Sequence, residues 1–240
     1  MSVGLPSSHF VDTNILIGYS VAWDSQSHPV EQYTSSGSFH EADHWASEAV
    51  LDEAEDVVNK QRRLSRQAAK VVFEQGNVDP GPDAEQDLIN LVRSEFDDDS
   101  ISGVLSLMED NPHLFIGLTQ SDSQRALIAT ISDLKNLFDK PSKFVNQLRE
   151  GEEDFFSLNL FSSRPNSYAD IYDSTFDDLD DLVENKADRD ILLDSYHLLH
   201  SNGMSGLVFV TTDHGDILSV NDEIEICLDG VLIRSPVEID

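Results

Sequence analysis

The sequence predicts an α/β protein with an open parallel sheet flanked by helices, together with a helical insertion. Two features favour this class. Apolar runs of strand length lie near both ends of the chain, at His9–Val11 and Leu207–Thr212, and a polar segment follows each. The long middle of the chain instead carries helical spacing. We therefore predict a core made of residues 1–75 and 185–240, with residues 76–184 as a helical insertion or extension of the same domain.

The N-terminal elements follow from capping residues and apolar periodicity. His9–Val11 is predicted as the end of a short buried strand, and Asp12–Asn14 are suited to cap a helix that follows directly. Residues 24–38 are rich in Ser, Gln and Pro, which predicts a loop. Helical spacing then extends over about Ala42–Glu74, where the Gly, Asn and Pro residues that follow end the helix.

The later elements are assigned in the same way. Residues 83–150 continue the helical spacing, and residues 155–172 are loop-like. The acidic run Phe176–Glu184 is predicted as a solvated helix face. A helix over Ala187–His200 leads to the second strand. Two apolar runs, residues 224–228 and 231–234, flank Asp229-Gly230 and predict a final strand pair, either a hairpin or a short sheet edge.

Composition excludes a disordered acidic tail and indicates adaptation to high salt. The 240 residues include 46 acidic and 15 basic side chains, for a formal net charge of -31, yet 39% are hydrophobic and regularly spaced. Aspartate outnumbers glutamate by 30 to 16 and only six lysines occur, which resembles the proteomes of halophilic archaea. We expect a hydrated carboxylate surface that needs salt to screen its own repulsion. In such salt the repulsion of RNA is largely screened as well, so net charge does not exclude a nucleic-acid ligand.

Cysteine content and hydropathy bear on location. The lone Cys227 excludes an internal disulfide framework and a four-cysteine zinc ribbon. The N-terminus has no basic start followed by a long apolar stretch, and no window approaches about 18 apolar residues, so we expect neither a signal peptide nor a membrane span. We predict a cytoplasmic protein without a membrane partner.

Two acidic residues fall on helix faces that are otherwise apolar. At about 100° per residue, Glu53 lies among the apolar positions of the first long helix. Asp188 points into the apolar face of the helix over residues 187–200, whereas Asp190 and Asp194 lie outside that face. Because burial of an unpaired carboxylate costs several kcal/mol, each inward acid needs a cation, a donor or a pocket. An ordinary helix N-terminal acid stabilised by the helix dipole is the alternative interpretation of Asp188.

Two further acids directly follow the predicted strands. Asp12 comes after Val11, and Asp213 comes after Thr212. Ligands of open parallel sheets gather beyond the carboxyl ends of the strands, so both side chains are expected there. Asp216, one helical turn later, either joins them or starts a new helix. Such carboxylates offer hard oxygen ligands, which suit Mg²⁺ or Mn²⁺, and an ion of this kind can activate water for phosphodiester hydrolysis.

These segments resemble the PIN domain family of nucleases at four short motifs that occur in the expected order. The motifs are Phe10-Val-Asp-Thr-Asn14, Ser47-x-x-Val50-Leu-x-Glu53, Asp188-x-x-Ile191-Leu192 and Val210-Thr-Thr-Asp213-x-x-Asp216-Ile217. The resemblance implies a PIN-like three-layer fold and a metal-dependent endoribonuclease that acts on single-stranded or structured RNA.

The resemblance also assigns roles to individual residues. It implies that the catalytic, metal-binding carboxylates are Asp12, Glu53, Asp188 and Asp213, with Asp216 as a further metal ligand. It implies that Thr13, Asn14 and Thr212 orient those carboxylates. The long middle segment is a departure from a minimal PIN domain, and it leaves the substrate and the subfamily open.

Basic residues are clustered despite their scarcity. Lys60, Arg62, Arg63, Arg66 and Lys70 fall within eleven positions, and the last four share one helix face. We predict that this basic stripe, Arg62, Arg63, Arg66 and Lys70, contacts RNA phosphates. The alternative is that these cations pair with the acids of the protein itself.

Two other functions fit parts of the sequence. His40, Glu41 and His44 match the zinc-protease pattern of two histidines four apart, which would place both imidazoles on one helix face. The second alternative is a PIN-like protein that retains its carboxylates but acts as a nucleic-acid-binding or scaffold module. Its helical insertion would then dock a protein partner, either a second copy or an antitoxin-like protein.

Overall fold

The computed structural model describes residues 6–76, 83–96, 101–120, 123–152 and 157–239. The chain forms two compact units. The sheet unit comprises residues 1–19, 26–54 and 144–240, and the helical unit comprises residues 20–25 and 55–143.

The strands, in chain order, are β1 (Ser8–Val11), β2 (Asp43–Ser47), β3 (Asn159–Phe161), β4 (Leu207–Val210) and β5 (Val231–Arg234). The helices are α1 (Thr13–Ser20), α2 (Ser27–Thr34), α3 (Gly37–Glu41), α4 (Glu48–Gln75), α5 (Ala84–Glu95), α6 (Ser102–Asp110), α7 (Pro112–Thr119), α8 (Gln124–Glu150), α9 (Asp173–Leu182), α10 (Lys186–Ser201) and α11 (Asn221–Cys227).

The described strands of the sheet unit are all parallel and lie in the order β3-β2-β1-β4-β5. In the central strand β1, Phe10 pairs with Trp45 of β2 and with Phe209 of β4. Helix α10 packs against β2 and β4, and α11 packs against β5. The predicted α/β class, with a parallel sheet flanked by helices, is confirmed. Because the carboxyl ends of parallel strands meet at one edge, the residues that follow β1 and β4 come together there.

The apolar runs of β1 and β4 form the core of the sheet unit. Phe10, Val11 and all four residues of β4 have no exposed surface. The rings of Phe10 and Phe209 stack with their centroids 5.8 Å apart. Parallel strands covered on both faces need apolar residues at successive positions rather than at alternate ones. This requirement is why β1 and β4 are recognisable in the sequence.

The first long helix begins later than predicted. It starts at Glu48 rather than at Ala42, because Asp43–Ser47 form β2 between β1 and β3. The Ser47 hydroxyl accepts a hydrogen bond from the Val50 amide at 3.4 Å, which caps α4. The predicted boundary was wrong because a segment of five residues is too short for its spacing to separate a strand from a helix.

Of the two interpretations of the C-terminal strand pair, the hairpin is wrong, whereas residues 231–234 form the edge strand β5. The first predicted strand, residues 224–228, instead lies in and just after helix α11, and β5 is parallel to β4. Ile224 and Leu228 are buried four residues apart, whereas Ile226 is 80% exposed. The alternating apolar residues Ile224, Ile226 and Leu228 resembled a strand, but only the two that lie four positions apart face the core, as in a helix. Parallel neighbours need a crossover connection rather than a tight turn, and α11 lies in that connection.

The division of the chain differs from the predicted boundaries at residues 75 and 185. The helical unit includes the end of α4, whereas residues 144–184 belong to the sheet unit. The segment predicted as a loop contains the edge strand β3, which pairs with β2. Three residues are too few for a recognisable period. Residues 24–38, also predicted as a loop, contain α2 and the start of α3.

The acidic run Phe176–Glu184 is a solvated helix face, as predicted. Helix α9 buries Leu179, and four aspartates between residues 177 and 181 are exposed. The side chain of Arg189 in α10 pairs with Asp180.

Helix α8 contains a proline within the helical unit. Pro141 lies inside α8, where it has no N–H to donate to the preceding turn. Arg62 of α4 donates hydrogen bonds to the Phe138 carbonyl at 3.1 Å and to the Ser142 hydroxyl at 2.7 Å. Arg62 therefore ties α4 to α8 beside the proline.

Within the described ranges, every helix is either too short or too polar to cross a lipid bilayer.

Candidate metal site and basic surface

Asp12 lies at the carboxyl end of β1 and is held by three donors. Its backbone N–H donates to the Val210 carbonyl at 3.0 Å, which continues the pairing of β1 with β4. One carboxylate oxygen accepts from the Thr13 amide at 2.7 Å. The other accepts from the Thr211 hydroxyl at 2.7 Å and from the Asn14 side-chain amide at 3.4 Å. With 3% of its surface exposed, Asp12 has a fixed orientation.

Asp213 occupies the corresponding place after β4. Its amide donates to the Thr211 hydroxyl at 3.0 Å, so Thr211 links the two strand ends. The Oδ1 atom of Asp213 accepts from the amides of Gly215 at 2.8 Å and Asp216 at 3.0 Å. This turn brings Asp216 back toward Asp213.

Two helical acids complete the cluster. On α4, Glu53 accepts a hydrogen bond of 2.6 Å from the Thr13 hydroxyl. On α10, Asp188 lies in the first turn, where the Asn185 side chain caps the helix by accepting from the Ala187 amide. One carboxylate oxygen of each of Asp188, Asp213 and Asp216 lies within 4.8 Å of the other two, whereas Asp12 and Glu53 lie outside this group of three. The start of α10 and the turn after β4 therefore meet at one edge of the sheet, and the charges of Asp12 and Glu53 act on the same group.

Charge interactions link Asp12 and Glu53 to the three close aspartates. Burial raises the pKa of Asp12 to about 6, and the charges of Glu53 and Asp213 add to this effect, against the hydrogen bonds from Thr211 and Thr13. Burial likewise raises the pKa of Asp188 to about 7, with further contributions from Asp12, Asp213, Glu53 and Asp216. We call these five residues the acidic cluster.

The donor set of the acidic cluster fits a hard divalent cation. Among the described residues, no basic side chain forms an ion pair with any of its five acids. The hydroxyl of Thr212, adjacent to Asp213, is buried and makes no hydrogen bond within the described part of the chain. Carboxylates that repel one another without a protein cation are what Mg²⁺ or Mn²⁺ binds in proteins.

The sequence did not predict the roles of two residues, Thr211 and Asp194. Thr211 supplies the hydrogen bonds that we expected from Thr212, and two adjacent threonines give no signal that separates them. Asp194, predicted outside the apolar face of its helix, has no exposed surface. It accepts from Arg164 Nε at 2.9 Å and from the Tyr168 hydroxyl.

Arg164 follows β3 and is held by several groups. Its Nη2 lies 3.8 Å from Asp190, and its guanidinium lies 5.6 Å from the ring centroid of Tyr168. Burial raises the pKa of Asp194, and the charge of Arg164 opposes this rise. No sequence pattern connects residues that lie about 30 positions apart, so this buried pair could not be inferred from spacing.

The zinc-protease arrangement does not form. Helix α3 ends at Glu41, and His44 lies in β2, so His40 and His44 do not share a helix face. The His44 ring is buried against Phe39, with centroids 4.2 Å apart. Burial lowers the pKa of His44 to about 4, with smaller contributions from His9 and His40. The pattern in the sequence therefore does not build the predicted ligand pair.

In the basic stripe, Arg62 has a structural role, Arg63 and Lys70 are exposed, and Arg66 is half-buried. Arg62 is engaged by α8, as described above. Arg63, Arg66 and Lys70 form no ion pair within the described ranges, although the chain has 46 acids. The sequence of the helical unit contains ten of the fifteen basic residues and only seventeen of the acids. The helical unit is therefore far less acidic than the sheet unit.

No protein-family model matches the chain, and no match was found among curated proteins or solved structures.

Proposed function

We propose that this chain is a divalent-metal-dependent nuclease that hydrolyses phosphodiester bonds of RNA. The acidic cluster carries the proposal. Its five carboxylates come from four segments of the chain and have no basic partner among the described residues. Mutual repulsion and desolvation make such a group unfavourable on its own, and a bound cation reverses both effects.

The ligands would be Asp12, Glu53, Asp188 and Asp213, with Asp216 at the exposed rim. When bound, Mg²⁺ or Mn²⁺ lowers the pKa of a coordinated water and neutralises charge that develops on the phosphate. The protein orients the carboxylates. Thr211 and the Thr13 amide fix Asp12, and the Thr13 hydroxyl fixes Glu53. Such hydrogen bonds hold ligands in position before substrate arrives.

The substrate assignment rests on the basic stripe and on the PIN resemblance. Arg63, Arg66 and Lys70 have no acidic partner in the part of the chain that the structure describes, so they suit a nucleic-acid backbone, and the resemblance favours RNA over DNA. The acidic composition fits the potassium-rich cytoplasm of a halophile, where screening permits such contacts.

Cleavage of a fluorescein-labelled single-stranded RNA in concentrated KCl tests the proposal. Wild type with Mn²⁺ should cut the strand, and EDTA should stop the reaction. Asp12→Asn and Asp213→Asn should each reduce the rate by at least about 100-fold and should abolish Mn²⁺ binding measured by calorimetry. Asp181→Asn, an exposed acid of α9, is the control of equal charge and should behave like wild type.

The basic stripe is tested with the same strand. The double variant Arg63→Glu with Arg66→Glu should raise KM while Mn²⁺ affinity stays at the wild-type value. If wild type binds the RNA without cutting it, the chain is a nucleic-acid-binding module rather than a nuclease. A wild-type protein that neither binds Mn²⁺ nor cuts RNA would overturn the proposal.

A further inference from the structure

The helical unit contains a cleft that belongs neither to the acidic cluster nor to the basic stripe. Its volume is about 410 Å³, within the range of small-molecule sites. It lies between the turn after α1, the junction of α6 with α7, and the middle of α8. Trp23, Leu137 and Pro141 line its apolar part, and Asp110, Asn111, Asn136 and Lys140 line its polar part.

The apolar part of the cleft is closely packed. Trp23 is 8% exposed, and its ring packs edge-on against Phe138 of α8 with centroids 5.3 Å apart. Pro141 restricts the backbone of α8 at the same place, and it leaves the Leu137 carbonyl without the usual helical donor four residues later. A flat apolar ligand would therefore meet a surface that is already formed.

The polar part offers both donors and acceptors. Asn136 and Lys140 are exposed, and their side chains make no hydrogen bond or ion pair within the described ranges. The Asn111 amide nitrogen donates to the Leu107 carbonyl at 3.2 Å, which leaves its oxygen as an acceptor. The Asp110 carboxylate is a further acceptor. Lys140 is therefore an available cation beside acceptors that suit an amino group.

We propose that this cleft binds an unpaired nucleotide of single-stranded RNA, with an adenine or cytosine base inside and its phosphate on Lys140. A base combines an apolar face with donors and acceptors along one edge. Carboxylate and asparagine side chains recognise the exocyclic amino groups of cytosine and adenine, which uracil lacks. A lysine at the rim supplies the phosphate contact that strand binding requires. The choice of RNA rests on the proposed function, but binding at the cleft does not require cleavage.

Binding is measured by fluorescence anisotropy with labelled A10 and U10 strands, in EDTA and at the lowest KCl concentration that keeps the protein folded. Lys140→Glu and Asn136→Leu should each raise the Kd for A10 by about fivefold or more. Lys135→Glu changes the same charge on an exposed lysine of α8 outside the cleft and should change the Kd less than twofold. Wild type should bind A10 more tightly than U10, and A10 should change the fluorescence of wild type but not that of Trp23→Phe.

These measurements test RNA binding at the cleft independently of RNA hydrolysis at the acidic cluster. Equal Kd values for Lys140→Glu and Lys135→Glu would overturn the inference, as would equal affinity for A10 and U10. Adenosine monophosphate that binds as tightly as A10 would also overturn it, in favour of a site for free nucleotides. If wild type binds A10 through the cleft but never cuts it with Mn²⁺, the proposed hydrolysis fails and the cleft stands.

Discussion

Replacing Asp188 with asparagine should stabilise the metal-free protein while abolishing Mn²⁺ binding at the proposed site. The pKa of Asp188 is raised from 3.8 to about 7 because the carboxylate is partly buried beside four other acids. At about 1.4 kcal/mol per tenfold change in ionisation, this corresponds to roughly 4 kcal/mol. Because the side chain is only half-buried, screening reduces the expected effect to about 2 kcal/mol.

The sign of the effect changes with pH. A group whose pKa is raised by folding contributes stability that is complete below about pH 4 and is lost as the pH rises through about 7. Asp188→Asn cannot ionise, so it should match wild type near pH 4 and exceed it by about 2 kcal/mol at pH 8. Urea unfolding in concentrated KCl with EDTA, followed by circular dichroism, measures both values.

Bound metal should make wild type more stable than Asp188→Asn at pH 8. At about 100 times its Kd, Mn²⁺ should stabilise wild type by about 2.7 kcal/mol and the variant very little. Asp181→Asn is the control, because it removes the same charge from an exposed position on α9. If Asp181→Asn and Asp188→Asn gave the same change at pH 8, general charge reduction would explain the result and the shared neighbourhood of the acidic cluster would be refuted.

Three further outcomes follow from the structure. Thr211→Val should weaken Mn²⁺ binding about 10- to 100-fold in calorimetry, because it removes the hydrogen bond to Asp12, whereas Thr212→Val should leave affinity unchanged; equal losses would contradict the role of Thr211. Arg164→Met should lower the free energy of unfolding by about 2–3 kcal/mol at pH 7 in urea, because it leaves the buried Asp194 carboxylate without its cation. Adding Asp194→Asn should restore most of this loss, and a double variant as unstable as Arg164→Met would contradict the pairing. Circular dichroism should show cooperative unfolding as KCl is removed, since a net charge of -31 is then unscreened, and full structure in dilute buffer would exclude salt dependence.

The sequence contained enough to locate the strand ends and their acids. A parallel strand that is covered on both faces appears as an unbroken apolar run, so Asp12 and Asp213 stand out as the first charged residues beyond β1 and β4. Glu53 and Asp188 were identifiable because their positions around the helix axis, at about 100° per residue, place them among apolar residues, whereas most other acids fall on the solvated side. Local spacing was sufficient where one helix or strand alone determines which way a side chain points.

Other features depend on contacts between distant segments. Asp194 lies outside the apolar stripe of α10, and its burial comes from Arg164 and Tyr168 on the segment after β3. The strand β3 is too short to have a period, and the backbone of β2 completes its hydrogen bonding. The start of α4 was misplaced because β2 leads into the helix without an intervening loop.

The hydrogen bonds that already occupy the carboxylates limit how many oxygens each can lend to a cation. Oδ1 of Asp213 accepts from two amides of its own turn, and Oδ2 of Asp12 accepts from Thr211 and Asn14, so one oxygen of each carboxylate has both lone pairs occupied. Each of these aspartates would then offer a cation one oxygen. Ca²⁺ takes six to eight oxygens and uses bidentate carboxylates, whereas Mg²⁺ keeps several waters and needs only one or two carboxylates. At the proposed metal site, this supply of single oxygens would favour the smaller, more strongly hydrated ion over calcium.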